Sequence, residues 1–238
     1  MFVIRSGNMS SYPVTKYDKL DKNEKKSLKK KCRKIYNNKG FFESIIDFLN
    51  PLNDCMSCEY KPIISSFIYK VINYLIKEGI NTVGIFRLPS NNDLTNELVN
   101  YIKINKEVNL KDYDILTIAN ALKKYLREEL NGLISDDLSI TLEKNIKNKN
   151  KLKNIEYLAY ALEEDKRELL IHLFTLFKKI DENSKINLMT LENIFICSAP
   201  SIFPKVVQKN LRDFIPLTRI LIDIYNLDYE YVPSKLID

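Results

Sequence analysis

A loop near residue 87 presents an arginine in a setting that suits contact with a phosphate group. Residues 84–89 read Gly-Ile-Phe-Arg-Leu-Pro. Gly84 permits a backbone with positive φ, and Pro89 stiffens the chain beyond the arginine. If apolar residues such as Phe86 anchor the loop, the guanidinium of Arg87 stays free, and its planar charged fork matches phosphate oxygens. The alternative is an ordinary surface arginine.

A basic pair falls on the helix that we predict over residues 114–128. Lys123 and Arg127 are four residues apart, so their side chains share one face beside the apolar stripe of that helix. The alternative is a solvated basic face, which is the commoner meaning of such a pair.

A third segment, residues 187–202, reads Asn-Leu-Met-Thr-Leu-Glu-Asn-Ile-Phe-Ile-Cys-Ser-Ala-Pro-Ser-Ile. Thr190 can cap a helix, apolar residues follow, and Pro200 is expected to end it. By itself this segment indicates only a short buried helix.

The composition excludes several common catalytic centres. The 238 residues include five glycines and one histidine, and no two glycines have the spacing of a dinucleotide-binding turn. Gly79 and Gly84 have the spacing of a P-loop, but apolar residues follow where Lys and Ser or Thr are required. His172 lies in an apolar run, which indicates a residue at the edge of the core.

The cysteines favour no metal site. Cys55 and Cys58 form a C-x-x-C pair without the second pair that a structural zinc site needs. We expect all four cysteines to be reduced thiols, as in a cytoplasmic protein. The sequence also lacks the apolar core of a secretory signal, and its longest apolar run, six residues, is far too short for a membrane span.

Apolar periodicity predicts an all-α protein, because helical spacing recurs and strand-like alternation is scarce. The predicted helices cover, approximately, residues 21–40, 62–78, 93–104, 114–128, 136–146, 151–162, 166–180, 190–198 and 206–224.

Charge divides the chain unevenly. Residues 1–40 carry a net charge of +9 and the remainder a net charge of −3. We therefore expect a basic N-terminal extension over residues 1–40, a helical domain over residues 41–225 and a C-terminal tail over residues 226–238.

The basic segment over residues 22–39 has a narrow apolar stripe surrounded by lysines, a pattern that suits an anionic membrane surface. A nuclear import segment or a nucleic-acid-binding tail has similar composition. A solvated basic helix is the alternative without a partner. Of the functional possibilities we expect the membrane surface rather than nucleic acid.

Taken in order, the three segments resemble the RhoGAP family of GTPase-activating domains. That family has a G-I-F-R loop, an L-K-x-[FY]-L-R-E helix and an N-x-M-T-x-x-N-L helix that ends in G-P-x-L. The matching stretches are residues 84–87, 122–128 and 187–202, and the resemblance extends over residues 41–225. It implies a RhoGAP-like bundle of about eight to nine helices.

The resemblance implies that Arg87 is an arginine finger. The family inserts this side chain in trans into a GTP-bound Rho-family GTPase, where it stabilises charge on the transferring phosphoryl group. GTP and Mg²⁺ belong to the GTPase, so no cofactor or metal of the chain's own is expected. The chain would be a GTPase activator, a monomer in the cytoplasm, without turnover of its own.

The resemblance also assigns supporting residues. Lys123 and Arg127 match the basic pair that supports the finger loop and contacts the GTPase. Asn193 and Ser201 match further GTPase-binding positions. The residues that match loop-shaping positions are Gly84, Phe86 and Pro200.

The chain departs from the family pattern after the second motif. The family's Leu-Pro-x-Pro-Leu is replaced by Glu129–Leu133, which contains no proline. This change bears on the docking surface more than on the chemistry. Two alternatives therefore stand beside an active GTPase activator: a RhoGAP-like module that binds a GTPase or scaffold without activating it, and an all-α adaptor that acts through its basic arm.

Overall fold

The structure, a computed structural model, describes residues 14–36, 64–147, 155–204, 214–233 and 236–237. The predicted all-α fold is confirmed within these ranges. The predicted C-x-x-C pair at Cys55 and Cys58 and the predicted boundary at residue 40 lie outside them.

Ten α-helices occur in the described ranges, with one ribbon of two short strands. Two of the helices, α2 and α4, continue into a π-helical turn, at Leu75–Gly79 and Tyr125–Glu129. The bounds are α1 Lys22–Tyr36, α2 Phe67–Tyr74, α3 Asn92–Lys103, α4 Ile115–Lys124, α5 Asp136–Lys147, α6 Leu158–Ala161, α7 Glu164–Glu182, α8 Ser184–Asn187, α9 Leu191–Ile202, α10 Phe214–Tyr225, β1 Val14–Lys16 and β2 Tyr231–Pro233.

Two predicted helix bounds were wrong. Of the expected helix over residues 151–162, the described part begins at residue 155 and consists of a 3₁₀ turn, Ile155–Tyr157, followed by the single turn of α6. Pro200 does not end α9, which continues to Ile202. A proline removes its own N–H donor and crowds the carbonyl four residues earlier. The helical bond from the N–H of Phe203 to the carbonyl of Ala199 is nevertheless made, at 2.9 Å.

The longest helix, α7, runs through the core. It packs against α2, α8 and α9, and its spacing of apolar residues places one broad face inside the protein. The residues on that face with less than a tenth of their surface exposed include Leu169, Leu170, Leu173, Leu176, Phe177 and Ile180.

An aromatic cluster fills the core beside the second half of α7. The ring of Phe177 lies 6.0 Å from that of Phe195 on α9. The ring of Phe174 lies 5.3 Å from that of Tyr225 on α10, again edge to face. Such contacts favour one arrangement of the rings over others, so the helices around this end of α7 are fixed relative to one another.

The N-terminal helix α1 packs on α5 and α6 rather than standing apart from the body. Its residues Leu28, Cys32 and Tyr36 are buried. Two ion pairs join its inner edge to the start of α7: Lys25 to Glu164 at 2.7 Å, and Lys29 to Glu163 at 2.8 Å.

A buried arginine ties both ends of the described chain to α7. The guanidinium of Arg167 lies 3.7 Å from the ring centroid of Tyr17 and donates to the carbonyl oxygens of Ala159 and Tyr229. Next to it, β1 pairs antiparallel with β2, with Thr15 opposite Val232. Sequence periodicity did not predict this ribbon.

Candidate functional site

The loop after α2 turns sharply because two of its residues have left-handed backbone. Gly84 has φ +69° and Phe86 has φ +67°. A Cβ at Gly84 would lie 2.6 Å from Cγ of Leu88, so only glycine fits the fold of this loop. The loop closes on itself: the N–H groups of Arg87 and Leu88 both donate to the carbonyl of Gly84, at 2.9 and 2.8 Å.

Phe86 and Arg87 point in opposite directions from this turn. The ring of Phe86 is 1% exposed and packs edge to face on Phe177, with centroids 5.5 Å apart. Arg87, the next residue, is exposed. A left-handed backbone at a bulky residue costs about 1–3 kcal/mol and persists only where its surroundings fix it. Burial of the ring is one part of that fixation.

Lys123 makes the second interaction that fixes the backbone of Phe86. Its ammonium, on α4, donates a hydrogen bond to the carbonyl of Phe86. Burial lowers the pKa of Lys123, and the nearby charge of Arg127 lowers it further. The side chain is thus held close to the loop instead of extending into solvent, which is where an ordinary basic helix face would place it.

Two asparagines that the sequence analysis did not assign complete the anchoring. Asn120, one turn before Lys123 on α4, donates to the carbonyls of Leu88 and Leu116 at 3.0 and 2.9 Å. It is partly buried and lies beside the apolar stripe of the helix. A polar amide at that position in the sequence could have indicated a hydrogen-bonding role.

Asn187 is 0% exposed and joins three segments of the chain. Its amide nitrogen donates to the carbonyls of Ile80 and Ile180, both at 2.7 Å, and its amide oxygen accepts from the N–H of Met189 at 2.8 Å. Its backbone carbonyl accepts from the N–H of Gly84 at 2.8 Å. This single residue therefore fixes the first part of the segment between Gly79 and Asn92, which we call the arginine loop.

Arg127 and Asn193, two further predicted site residues, are half-buried. Arg127 lies in the π-helical turn and pairs with Glu128 at 2.9 Å. Asn193 lies in the first turn of α9, where its N–H donates to the capping hydroxyl of Thr190 at 3.4 Å. Cys197, one turn further on, lies close enough to Lys123 and Arg87 that their charges oppose the rise that burial causes in its thiol pKa.

Ser201 does not reach the surface around Arg87. It is 1% exposed, and its hydroxyl has no hydrogen-bond partner among the described residues. Pro200 is half-buried within α9. The structure thus brings together Arg87, Lys123 and the middle of α9, and leaves Ser201 inside.

Exposed apolar side chains flank the arginine loop. Val83 and Leu88 belong to the loop, and Ile186 and Leu188 belong to the segment that the Gly84–Asn187 hydrogen bond joins to it. We call these four residues the apolar rim. Leu188 is 55% exposed and has φ +59°, a conformation that leucine rarely adopts.

The segment that lacks the two prolines is held by other means. Gly132 has φ +82°, and a Cβ there would lie 2.6 Å from the carbonyl oxygen of Ile202 at the end of α9. The ammonium of Lys166 on α7 donates to the carbonyls of Leu130 and Gly132, both at 2.8 Å. This connection is therefore anchored to α7 and α9 without proline.

The chain matches the family model of the RhoGAP domain over residues 65–206. It is 31% identical over 181 residues to Rho GTPase-activating protein gacHH of Dictyostelium discoideum, which covers 74% of this chain and 12% of that protein. It is 30% identical over 165 residues to rat oligophrenin-1, covering 64% of this chain and 20% of that protein. The chain thus spans less than a quarter of the length of these relatives.

Solved structures give the same fold. The BH domain of GRAF, the GTPase regulator associated with focal adhesion kinase, superposes with a TM-score of 0.56 at 25% identity over 72% of this chain and 93% of that one. Human Rho GTPase-activating protein 15 superposes with a TM-score of 0.53 at 20% identity, over 68% and 83% of the two chains.

Replacement of Asn187 by Ala should destabilise the protein by about 3 kcal/mol, because the carbonyl of Ile80 and the N–H of Met189 lose their side-chain partner and the carbonyl of Ile180 keeps only its bond from the N–H of Asn183. The matched control is Asn226→Ala, which removes an exposed bond of the same kind to the carbonyl of Ile222 and should cost less than about 1 kcal/mol. Urea unfolding measures both. Equal costs would contradict the anchoring role of Asn187.

Proposed function

Because the chain belongs to the RhoGAP domain family, we propose that it stimulates GTP hydrolysis by a Rho-family small GTPase by inserting Arg87 into the nucleotide site of that GTPase. One observation supports this assignment above the others. Arg87 is exposed, while the backbone on both sides of it is hydrogen-bonded to α4 and to itself. When the backbone that carries a guanidinium is already fixed, little additional conformational entropy is lost on binding.

Phosphoryl transfer is accelerated chiefly by positioned charge. The transferring group spreads negative charge over its oxygens, and an arginine supplied in trans stabilises that charge. Lys123 contributes indirectly, because it holds the carbonyl of Phe86 and so directs the following residue outward. GTP and Mg²⁺ are brought by the GTPase, so the chain acts as an activator without turnover of its own. No grouping of side chains that could hold a metal ion occurs among the residues that the structure describes.

The binding surface extends beyond Arg87. The apolar rim supplies exposed apolar area around the finger, and Arg127 and Asn193 supply polar groups on the flanking helices. Apolar side chains surrounding a charged centre are typical of protein interfaces. The proposed partner is the GTPase in its GTP-bound state, since only that state has the phosphoryl group on which Arg87 acts.

A second candidate function is a module that binds a small GTPase or scaffold without activating it. The changed segment Glu129–Leu133 favours it, because a different docking surface can hold a GTPase in a pose that Arg87 does not reach. We prefer the activator, since Arg87 and the contacts that orient its loop are all in place.

We further propose that the protein acts as a monomer in the cytoplasm, peripheral at the inner surface of a membrane to which residues 22–39 bring it. The described part of the chain contains no helix that is both long and apolar enough to cross a bilayer.

Replacement of Arg87 by Ala should reduce stimulated GTP hydrolysis by about 10³-fold or more, because the charge on the transition state loses its partner. Phosphate release from GTP-loaded Rho-family GTPases under single-turnover conditions measures the effect. Binding of the variant to the same GTPases loaded with a non-hydrolysable GTP analogue should change by less than about threefold, since Arg87 acts mainly in the transition state.

Two controls accompany this measurement. Arg87→Lys keeps the charge but not the planar fork and should recover only a small part of the activity. Lys19→Ala removes an exposed charge next to the β1–β2 ribbon and should leave activity unchanged. If the wild-type chain binds the GTPases and hydrolysis stays at its basal rate, the non-activating module is correct instead.

Replacement of Leu188 by Asn should have opposite effects on stability and on binding. Asparagine adopts left-handed backbone more readily than leucine, so the free energy of unfolding should rise by about 0.5 kcal/mol. Loss of an exposed apolar side chain from the rim should weaken GTPase binding by about tenfold. Urea unfolding and titration with the GTPase measure the two effects. Unchanged binding would remove Leu188 from the interface.

A further inference from the structure

The outer side of α1 carries a row of lysines at regular spacing. Each residue of the row is four positions from the next, and all are exposed. Successive members are rotated by about 40° around the helix, so the row stays within an arc of about 120° and extends over about 18 Å. We call this row the lysine stripe; its members are Lys22, Lys26, Lys30 and Lys34.

The stripe is distinct from the basic residues that attach α1 to the body. Lys25 and Lys29 pair with Glu164 and Glu163. Arg33 donates to the carbonyl of Ala161 at 2.9 Å. Within the part of the chain that the structure describes, none of the stripe lysines makes an ion pair or a hydrogen bond, so their charge remains available.

The two acidic residues at the start of α1 cap the helix and form no described ion pair with the stripe. The carboxylate of Asp21 accepts from the N–H groups of Asn23 and Glu24, at 2.7 and 2.9 Å. The carboxylate of Glu24 accepts in return from the N–H of Asp21 at 2.7 Å. This reciprocal cap uses both carboxylates at the end of the helix.

The arrangement is unfavourable for the helix alone. Lysines four residues apart repel each other across one turn, and the stripe contains three such contacts. Tertiary packing of Leu28, Cys32 and Tyr36 holds α1 in place despite this repulsion. A concentrated positive charge is thereby presented on a fixed support.

We propose that the lysine stripe docks the protein on the surface of an anionic phospholipid bilayer. The inference rests on the peripheral location proposed above and assigns it to these four side chains. Lysines are compact charges that attract a planar anionic surface without requiring a fixed pattern of acceptors.

Nucleic acid fits the stripe less well than a bilayer. Binding of single strands uses aromatic side chains on which bases stack, but Tyr36, which is the aromatic residue of α1, is buried. Base recognition in a duplex relies on bidentate side chains such as arginine, but Arg33 faces the body of the protein. The stripe itself holds lysine only.

The docking is electrostatic, without insertion into the bilayer. The sequence predicted a narrow apolar stripe surrounded by lysines, and in the structure Leu28, Cys32 and Tyr36 of that stripe are part of the core. No apolar face of α1 is left to enter the acyl region. Attraction between exposed charges weakens as salt screens them, so binding should depend strongly on ionic strength.

The position of α1 keeps the finger free. Helix α1 contacts the start of α7 at Glu164, and the arginine loop is anchored near the end of α7 through the carbonyl of Ile180. These points are about 24 Å apart along the helix. A bilayer that contacts the stripe therefore does not have to cover Arg87.

Vesicle co-sedimentation of the full chain tests the proposal. The vesicles contain equimolar phosphatidylcholine and phosphatidylserine, and vesicles of phosphatidylcholine alone serve as the reference. The wild-type chain should bind the anionic vesicles. Replacement of all four stripe lysines by Gln should lower the partition coefficient by between about tenfold and about a thousandfold. Raising the salt concentration from about 0.1 M to about 0.5 M should release the wild-type chain.

A charge-matched variant separates the stripe from net charge. It replaces four other exposed lysines by Gln and should bind the anionic vesicles within about threefold of wild type. Urea unfolding should show both variants to be folded, because the stripe lysines make no described internal contacts and the control lysines make only an exposed pair with Glu78 and a ring contact with Tyr101. The lysines of the control variant are Lys77, Lys106, Lys111 and Lys185.

The possible failures are distinguishable. Absence of wild-type binding to anionic vesicles would contradict both docking by the lysine stripe and the proposed peripheral location. Equal binding of wild type and stripe variant would contradict docking by the lysine stripe but not the peripheral location. Binding that survives high salt would have the same meaning. Tighter binding to a DNA duplex or to RNA than to vesicles would replace the bilayer by nucleic acid. Stimulation of GTP hydrolysis without vesicles should be the same in wild type and stripe variant.

Discussion

The hydrogen bond from Lys123 to the carbonyl of Phe86 is the contact on which the site depends. Phe86 combines a left-handed backbone with a ring that is buried against Phe177. With the ring inside and the carbonyl held by the ammonium, the chain must send the next side chain outward. Arg87 is therefore directed by its neighbour, and the strain at Phe86 is offset by burial, by Lys123 and by the bonds that Asn120 and Asn187 make around the loop.

Helix α7 connects this site to the rest of the protein. Its second half supplies Phe177 to the ring of Phe86 and the carbonyl of Ile180 to Asn187. Its first half holds Arg167, which binds the segments around β1 and β2, and the acidic residues that bind α1. One helix thus supports the loop that carries Arg87 at one end and the basic surface at the other, and the two are separated by its length.

The sequence predicted the parts of the site whose residue types are tied to local pattern. Gly84, Arg87 and Lys123 were found because a glycine turn, a loop arginine and a helical pair each follow short-range rules. Asn187 was recognised only as the first residue of the third motif and received no role, because its partners at Ile80 and Ile180 are carbonyls that only the folded chain brings together. The β1–β2 ribbon was missed for the same reason: its strands are three residues long and lie near opposite ends of the chain. Burial of Ser201 depends on how α9 is rotated, which periodicity does not define to within one residue.

Amide hydrogen exchange of the free protein tests most directly whether the loop that carries Arg87 is formed before any partner binds. The N–H groups of Arg87 and Leu88 donate to the carbonyl of Gly84, so both should exchange about 10²-fold or more slowly than an open loop does. In Lys123→Met, exchange at these two amides should accelerate by at least about tenfold while core amides of α7 stay protected. Exchange of Arg87 and Leu88 at the rate of an open loop in the wild-type protein would contradict a preformed loop around Arg87.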